Sequence, residues 1–251
     1  MDKKIIHYCW FGNNPKSELI KKCMESWKKY CPDYEIKEWN ETNFNIHCCK
    51  YVEEAYEMKK WAFVSDYCRF WVLFHYGGIY LDTDVEIIKN LDELPNTFVG
   101  YEEKTIVNSG LIRGAEINDE ICKRMIDSYN NDNFIKEDGT LNLQTVCHRE
   151  TNILKGYGLK CNNTLQIVGN TTVFPIEWFA PKNYYTEKIK ITKNTYTIHH
   201  YLKSWTNKET GKERFLRRHP KINIIFHVPN KVIRGLLGKK RYEQLKRKLK
   251  K

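Results

Sequence analysis

No stretch of the 251-residue sequence approaches the roughly 18–20 consecutive apolar residues that a membrane-spanning helix needs. The opening Met1-Asp2-Lys3-Lys4 is followed by too short an apolar run for a signal peptide, so a soluble or peripheral cytoplasmic protein is expected. Internal repeats and low-complexity linkers are missing too, which makes one main domain the simplest reading. The cysteines lack the even count and regular spacing of a disulfide or zinc framework. There are nine, with Cys48 and Cys49 adjacent and Cys9, Cys23, Cys31, Cys68, Cys122, Cys147 and Cys161 scattered. Several fall in apolar runs, where a thiol packs as a small hydrophobe, and a reducing compartment suits them.

Excess charge is scarce outside one segment. The formal net charge is +11, but Val228 to Lys251 carries ten basic residues against Glu243 alone, so the rest of the chain is close to neutral. The basic balance therefore describes a tail. That argues against a nucleic-acid-binding protein or metal nuclease, the rival that charge and paired carboxylates would suggest, and no nucleic-acid partner is expected. Aromatic side chains, by contrast, are abundant, with seven Trp and sixteen Tyr. Most belong in a core, and some can line a pocket for a ring-shaped ligand.

Ile5 to Phe11 reads as a buried first strand stopped by Gly12-Asn13-Asn14-Pro15. Ser17 is placed to cap a helix carrying Leu19, Ile20, Cys23, Met24 and Trp27, and Tyr34–Trp39 reads as a second strand. Strand, helix, strand with short loops opens a Rossmann-like α/β domain. Trp61–Tyr76 reads as a helix ended by Gly77-Gly78, followed by a strand from Ile79 to Ile87. Strands are also expected at Phe98–Tyr101, Ser109–Arg113 and Thr195–His200, and helices at Asp119–Tyr129 and from Lys239 onward. Residues 130–170 mix helix-like and loop-like composition and stay unassigned, apart from a general acceptor-side role.

If Gly77-Gly78-Ile79-Tyr80-Leu81-Asp82-Thr83-Asp84-Val85 is extended, Ile79, Leu81, Val85 and Ile87 share an apolar face. Tyr80, Asp82, Asp84 and Glu86 then point the other way. Two carboxylates so spaced can hold a divalent cation through hard oxygens, and such a cation can bridge the phosphates of a nucleotide-sugar. Asp66 and Arg69, three apart in an otherwise apolar helix, are neighbours on one face. Alone they would read as a structural ion pair. Just upstream of the Asp-x-Asp segment they suit sugar hydroxyls and phosphate oxygens.

The runs Ala62 to Phe70 and Leu73 to Asp84, the opening Lys4 to Gly12, and His199-His200-Tyr201 with Ser204-Trp205 resemble glycosyltransferase family 32, the family with the DXD sugar-binding region common in bacterial polysaccharide synthesis. The resemblance implies a GT-A fold, a mixed sheet flanked by helices, over residues 1–210, with a basic, partly amphipathic helical extension over 211–251. It implies a nucleotide-sugar donor, a UDP-sugar by family frequency, with Mn²⁺ or Mg²⁺ and retention of anomeric configuration. It further implies that Asp66 and Arg69 hold the donor sugar, that Asp82 contacts ribose and the metal side, and that Asp84 binds the metal. Tyr80 would line the donor site, Tyr8, Trp10 and Phe11 would frame the nucleoside, and Asn108 would be a sugar-side polar group. His200, with His199 as the alternative, would complete the metal or diphosphate site, and Ser204 and Trp205 would close over the phosphates. No residue stands out as a nucleophile, and in a retaining enzyme of this type the leaving diphosphate can itself help deprotonate the acceptor. The acceptor would be a glycan, lipid-linked if the basic tail lies on the anionic inner face of the cytoplasmic membrane.

Overall fold

The computed structural model describes residues 4–202. The chain divides into two units, Met1–Asn183 with Lys188–Trp205, and Tyr184–Glu187 with Thr206–Lys251. Of the second, only Tyr184–Glu187 are described, and the Tyr184 and Tyr185 rings meet edge to face at 5.2 Å. The proposed extension over 211–251, the helix from Lys239, Ser204 and Trp205 all lie outside the described residues.

The first unit is built on a mixed sheet. Strand β1 (Ile5–Cys9) lies between β2 (Glu35–Trp39) and β3 (Gly78–Tyr80), parallel to both. Helix α1 (Glu18–Tyr30) makes the first crossover, with Ser17 accepting the Ile20 amide as its N-cap. On the far side of β3 come β7 (Arg113–Ala115), antiparallel, then β5 (Phe98–Glu103), β9 (Thr171–Phe174) and β8 (Gln166–Val168). A two-residue strand, β6 (Ile106–Val107), pairs with β5. This is the mixed sheet flanked by helices that the GT-A resemblance implies.

Helix α3 (Trp61–Tyr76) is apolar around most of its circumference and is correspondingly buried, packing on β1, β3 and α2 (Lys50–Glu57). Gly77, at φ +64°, ends it, and its amide returns to Leu73 O at 2.8 Å. Gly78 follows at φ +96°, and a Cβ there would stand 2.7 Å from Ile5 O. The Gly-Gly pair thus permits a left-handed turn and a close approach to β1. His7, wholly buried on β1, fixes the same corner: its Nε2 is 2.8 Å from Gly77 O, and its Nδ1 accepts the Trp39 indole N–H at 3.1 Å. These partners define a neutral ring carrying its proton on Nε2. Burial holds its pKa down to about 4, with Lys37 adding to the shift against the pull of the Gly77 carbonyl.

The expected strand from Ile79 to Ile87 is two strands. β3 ends at Tyr80, a turn follows in which the Val85 amide donates to Asp82 O at 3.1 Å, and β4 (Val85–Ile87) leaves the main sheet to pair antiparallel with β10 (Thr197–His199). Short polar residues at 82–84 suit such a turn. The apolar set behaves as expected, since Ile79, Leu81, Val85 and Ile87 are all fully buried. Asp82 and Asp84, however, do not share one strand face. Helix α1 holds the far end of the turn, with Trp27 Nε1 donating to Val85 O at 2.7 Å and Ser26 Oγ accepting the Ile87 amide at 2.9 Å.

A second correction concerns residues 109–112, which form a turn before β7; of the expected strand only Arg113 is extended. Asn108 Oδ1 accepts the Gly110 amide at 2.6 Å, an Asx-type closure that competes with strand pairing. In the unassigned middle lies α5 (Val146–Gly156), N-capped by Thr145, which packs against β6 and against α4 (Glu120–Asp127). Beneath it Arg113 and Glu150, both fully buried, form an ion pair at 3.2 Å, and Asp119 stands 3.4 Å from the same guanidinium.

Candidate active site

The site lies where β3 gives out and the chain turns. Arg69, 4% exposed, reaches from α3 between two carboxylates, with Nη2 2.7 Å from Asp66 Oδ1 and 3.3 Å from Asp82 Oδ1. The Tyr80 hydroxyl donates to Asp82 Oδ1 at 3.0 Å, and the guanidinium sits over the Tyr80 ring at 4.8 Å. The other oxygen of Asp82 faces Gly110, where a Cβ would stand 2.2 Å from Oδ2. Asp82 is the most open of the three acids, with 30% of its side chain exposed against 13% for Asp66 and 12% for Asp84.

Asp84 is turned away from this cluster. Its Oδ1 is 3.1 Å from His199 Nε2, its Oδ2 accepts the Leu202 amide at 2.7 Å, and its carbonyl accepts the His200 amide at 3.0 Å. Burial alone would push the carboxyl pKa up. The His199 charge, the hydrogen bond from that ring and the Leu202 amide overcome burial and hold it near 2. His199 shifts the opposite way: burial would lower it, but Asp84, with Glu102 and Asp82 behind, raises it to about 9. Asp66 is raised to about 6 by burial and by Asp82, against the pull of Arg69, Arg149 and the Val146 amide of α5.

The structure brings Asp66, Arg69, Tyr80, Asp82 and Asn108 together on one side and Asp84 with His199 on the other. His200, the first choice at the sequence level, faces elsewhere, its Nε2 2.8 Å from Glu86 Oε2. Neighbours on β10 point to opposite faces, and the pairing of His199 with Val85 sets His199 beside Asp84. Of the three opening aromatics, Trp10 borders a ligand-sized space. Tyr8 and Phe11 are core, packed on Trp27 and Phe44, although the Tyr8 hydroxyl reaches Glu38 at 2.5 Å. Trp10 borders an open cleft of about 630 Å³ at the carboxyl ends of β1 and β2, with Lys16, Glu38, Asn40 and Glu41 on its walls. Clefts at that end of parallel strands are the usual ligand sites of open α/β sheets. Glu102, absent from the sequence-level candidates, lies 3.8 Å from His199 Nδ1 and accepts Asn108 Nδ2 at 3.1 Å.

Asp84 Oδ1 and His199 Nε2 have the separation of two adjacent ligands on one octahedral cation, about 3.0 Å for bonds near 2.1 Å. Among the described residues no three His, Cys, Asp or Glu side chains form a cage.

Two family models match the chain. Residues 17–99, which hold Asp66, Arg69, Asp82 and Asp84, match the family described as glycosyltransferase sugar-binding region containing DXD motif. Residues 112–217, which hold both histidines, match the alpha 1,4-glycosyltransferase conserved region. Both matched regions thus resemble glycosyltransferase families, each over less than half of the chain.

A curated relative, inositol phosphoceramide mannosyltransferase 3 of Schizosaccharomyces pombe, is 30% identical over 102 residues, 36% of this chain. The match spans only 26% of that relative's length. Two solved glycosyltransferases are similar in fold. The PaToxG glycosyltransferase has a TM-score of 0.47 at 22% identity, covering 61% of this chain and 69% of its own. A glycosyltransferase involved in glycosylation of the major capsid of PBCV-1 has a TM-score of 0.46 at 14% identity, covering 85% and 97%.

Proposed function

We propose that the protein is a metal-dependent, retaining glycosyltransferase that moves a hexose-type sugar from a nucleotide-sugar, a UDP-sugar in the first instance, to a glycan acceptor. The observation that carries this reading is the division of labour across one turn: Asp82 joined to Arg69 and Asp66 on one side, Asp84 joined to His199 on the other. In this reading Asp84 and His199 hold Mn²⁺ or Mg²⁺. The bound cation supplies Lewis-acid stabilisation of the charge that develops on the leaving diphosphate.

The chain's own residues do the positioning. Asp66 and Arg69 bind the donor sugar, with Arg69 fixed by two carboxylates so that its remaining N–H groups have set directions. Asp82, one oxygen of which accepts from the Tyr80 hydroxyl, contacts the ribose in this reading. The nucleoside occupies the cleft beside Trp10, where the aromatic wall and the Glu38 and Asn40 side chains offer stacking and hydrogen bonds. Most of the rate then comes from orientation and preset electrostatics, without a protein nucleophile.

The place of work we propose is the inner face of the cytoplasmic membrane, in surface polysaccharide synthesis such as capsule assembly. The ten basic residues from Val228 onward support attraction to anionic lipid, and no helix among the described residues is long and apolar enough to cross a bilayer. The name of the Schizosaccharomyces pombe relative, an inositol phosphoceramide mannosyltransferase, supports a lipid-linked acceptor. Deleting residues 239–251 should weaken sedimentation with anionic liposomes; unchanged binding would remove this location.

The decisive experiment is a thermal-shift panel of nucleotide-sugars with and without Mn²⁺. A donor at a hundred times its dissociation constant adds about 2.7 kcal/mol of stability. Asp84→Asn should stay folded, lose the metal-dependent part of the shift and lose transfer. Full activity in that variant would sink the proposal.

A further inference from the structure

The two halves of the site share a side chain that neither the DXD segment nor the histidine segment contains. Strand β5 carries an irregularity: Tyr101 pairs with Val107, but Glu103 pairs with Ile106. Two residues are spent on β5 for one on β6, so Glu102 is the extra residue of a β-bulge. Bulges commonly re-aim a side chain beside an active site. Here the bulge turns Glu102 inward, leaving 22% of its side chain exposed, while Glu103 faces solvent.

Glu102 has two partners. On one side Oε1 accepts Asn108 Nδ2 at 3.1 Å, while Asn108 Oδ1 accepts the Gly110 amide at 2.6 Å, and Gly110 is the residue whose missing Cβ makes room for Asp82. On the other side Oε1 stands 3.8 Å from His199 Nδ1, a buried nitrogen with no hydrogen-bond partner among the described residues. An imidazole that offers Nε2 to a cation carries its proton on Nδ1, and such rings are normally oriented by a carboxylate or carbonyl at that proton. The Glu102 carboxylate needs to close by less than about 1 Å to reach ordinary hydrogen-bond distance.

We propose that Glu102 is a positioning residue that sets the His199 ring and the Asn108–Gly110 turn in register, so that one carboxylate aligns the Asp84 and Asp82 halves of the site. This rests on the reading that Asp84 and His199 hold the cation. Its basis is placement: Glu102 neither touches Asp84 nor supplies a ligand.

The test is a Mn²⁺ titration of the full chain followed by electron paramagnetic resonance, with the melting temperature of each variant measured alongside. Outer-shell partners of metal-binding histidines are typically worth 10–100-fold in affinity. Glu102→Ala should weaken Mn²⁺ binding by about that factor. Glu102→Gln should bind much as the wild type does, because its amide oxygen still accepts from Asn108 and from His199. If Glu102→Ala does not fold, Glu102→Asp serves in its place: it keeps the charge, draws the oxygens back by one methylene, and should weaken binding likewise. Unaltered Mn²⁺ affinity in a folded Ala or Asp variant overturns the proposal. So does a Gln variant as weak as Ala, which would make the charge and not the placement responsible. Failure of the wild type to bind Mn²⁺ overturns the cation reading and this inference together, whereas binding by the wild type that is indifferent to residue 102 overturns this inference alone.

Discussion

A Cβ on Gly110 would lie 2.2 Å from Oδ2 of Asp82 and 3.0 Å from both the Arg69 guanidinium and Asn108 Oδ1. The acidic turn is therefore seated against bare backbone, and the room for its carboxylate comes from a residue on another loop. Gly110→Ala should push Asp82 off the Tyr80 hydroxyl and off Arg69. We expect transfer to fall about 100-fold, the scale on which a displacement near 1 Å acts. Circular dichroism should show the fold intact. Wild-type turnover in Gly110→Ala would mean that Asp82 has freedom the geometry denies it.

Arg69 serves two carboxylates with one fork, which a lysine cannot imitate from the same backbone position. Arg69→Lys should raise the donor KM and lower kcat together. Arg69→Ala leaves Asp66 and Asp82 facing each other without a cation and should destabilise the protein by about 3–5 kcal/mol. Urea denaturation of both variants checks the contrast. Equal stability of Lys and Ala would show that the charge is worth nothing there.

The two histidines should separate cleanly. His199→Ala removes the ring beside Asp84, whereas His200→Ala removes a partner of Glu86. Only the first should abolish the Mn²⁺-dependent thermal shift produced by a bound donor. The reverse outcome would restore His200 as the metal-side residue.

Acid stability should report on His7. Its folded pKa is about 4, while an unfolded histidine titrates at 6.5. The unfolded chain therefore takes up a proton that the folded chain refuses. The contribution is complete above pH 6.5, declines as the pH falls through the interval between those values, and is lost at about pH 4. The loss amounts to about 3 kcal/mol. Urea midpoints measured across that range, with NMR of the His7 ring, test this. Titration of His7 near 6.5 in the folded protein would refute it.

Much of the architecture was legible because its signals are local. Ser17 before an amphipathic run marked the start of α1, Gly77-Gly78 marked the end of α3, and the alternation of Ile79, Leu81, Val85 and Ile87 marked buried positions. Helix α5 went unread because Val-Cys-His-Arg-Glu-Thr-Asn-Ile-Leu-Lys-Gly interrupts its apolar period with buried Arg149 and Glu150, which have partners elsewhere in the chain. The short strands β6 and β8, of two and three residues, leave no periodicity to detect.

The sequence by itself determined the class of chemistry: acids two apart after a glycine pair, an acid and an arginine three apart on the preceding helix, and a late histidine pair are covalent facts of spacing. Tertiary structure alone decided how they divide. Asp82 and Asp84 part company because β4 leaves the main sheet for β10. His199 meets Asp84, 115 positions away in the chain, because β10 pairs antiparallel with β4 and sets His199 opposite Val85. Gly110 and Glu102 enter the site from loops and strands whose neighbours in space are remote in the chain, and no local pattern encodes a contact that depends on where another segment has folded.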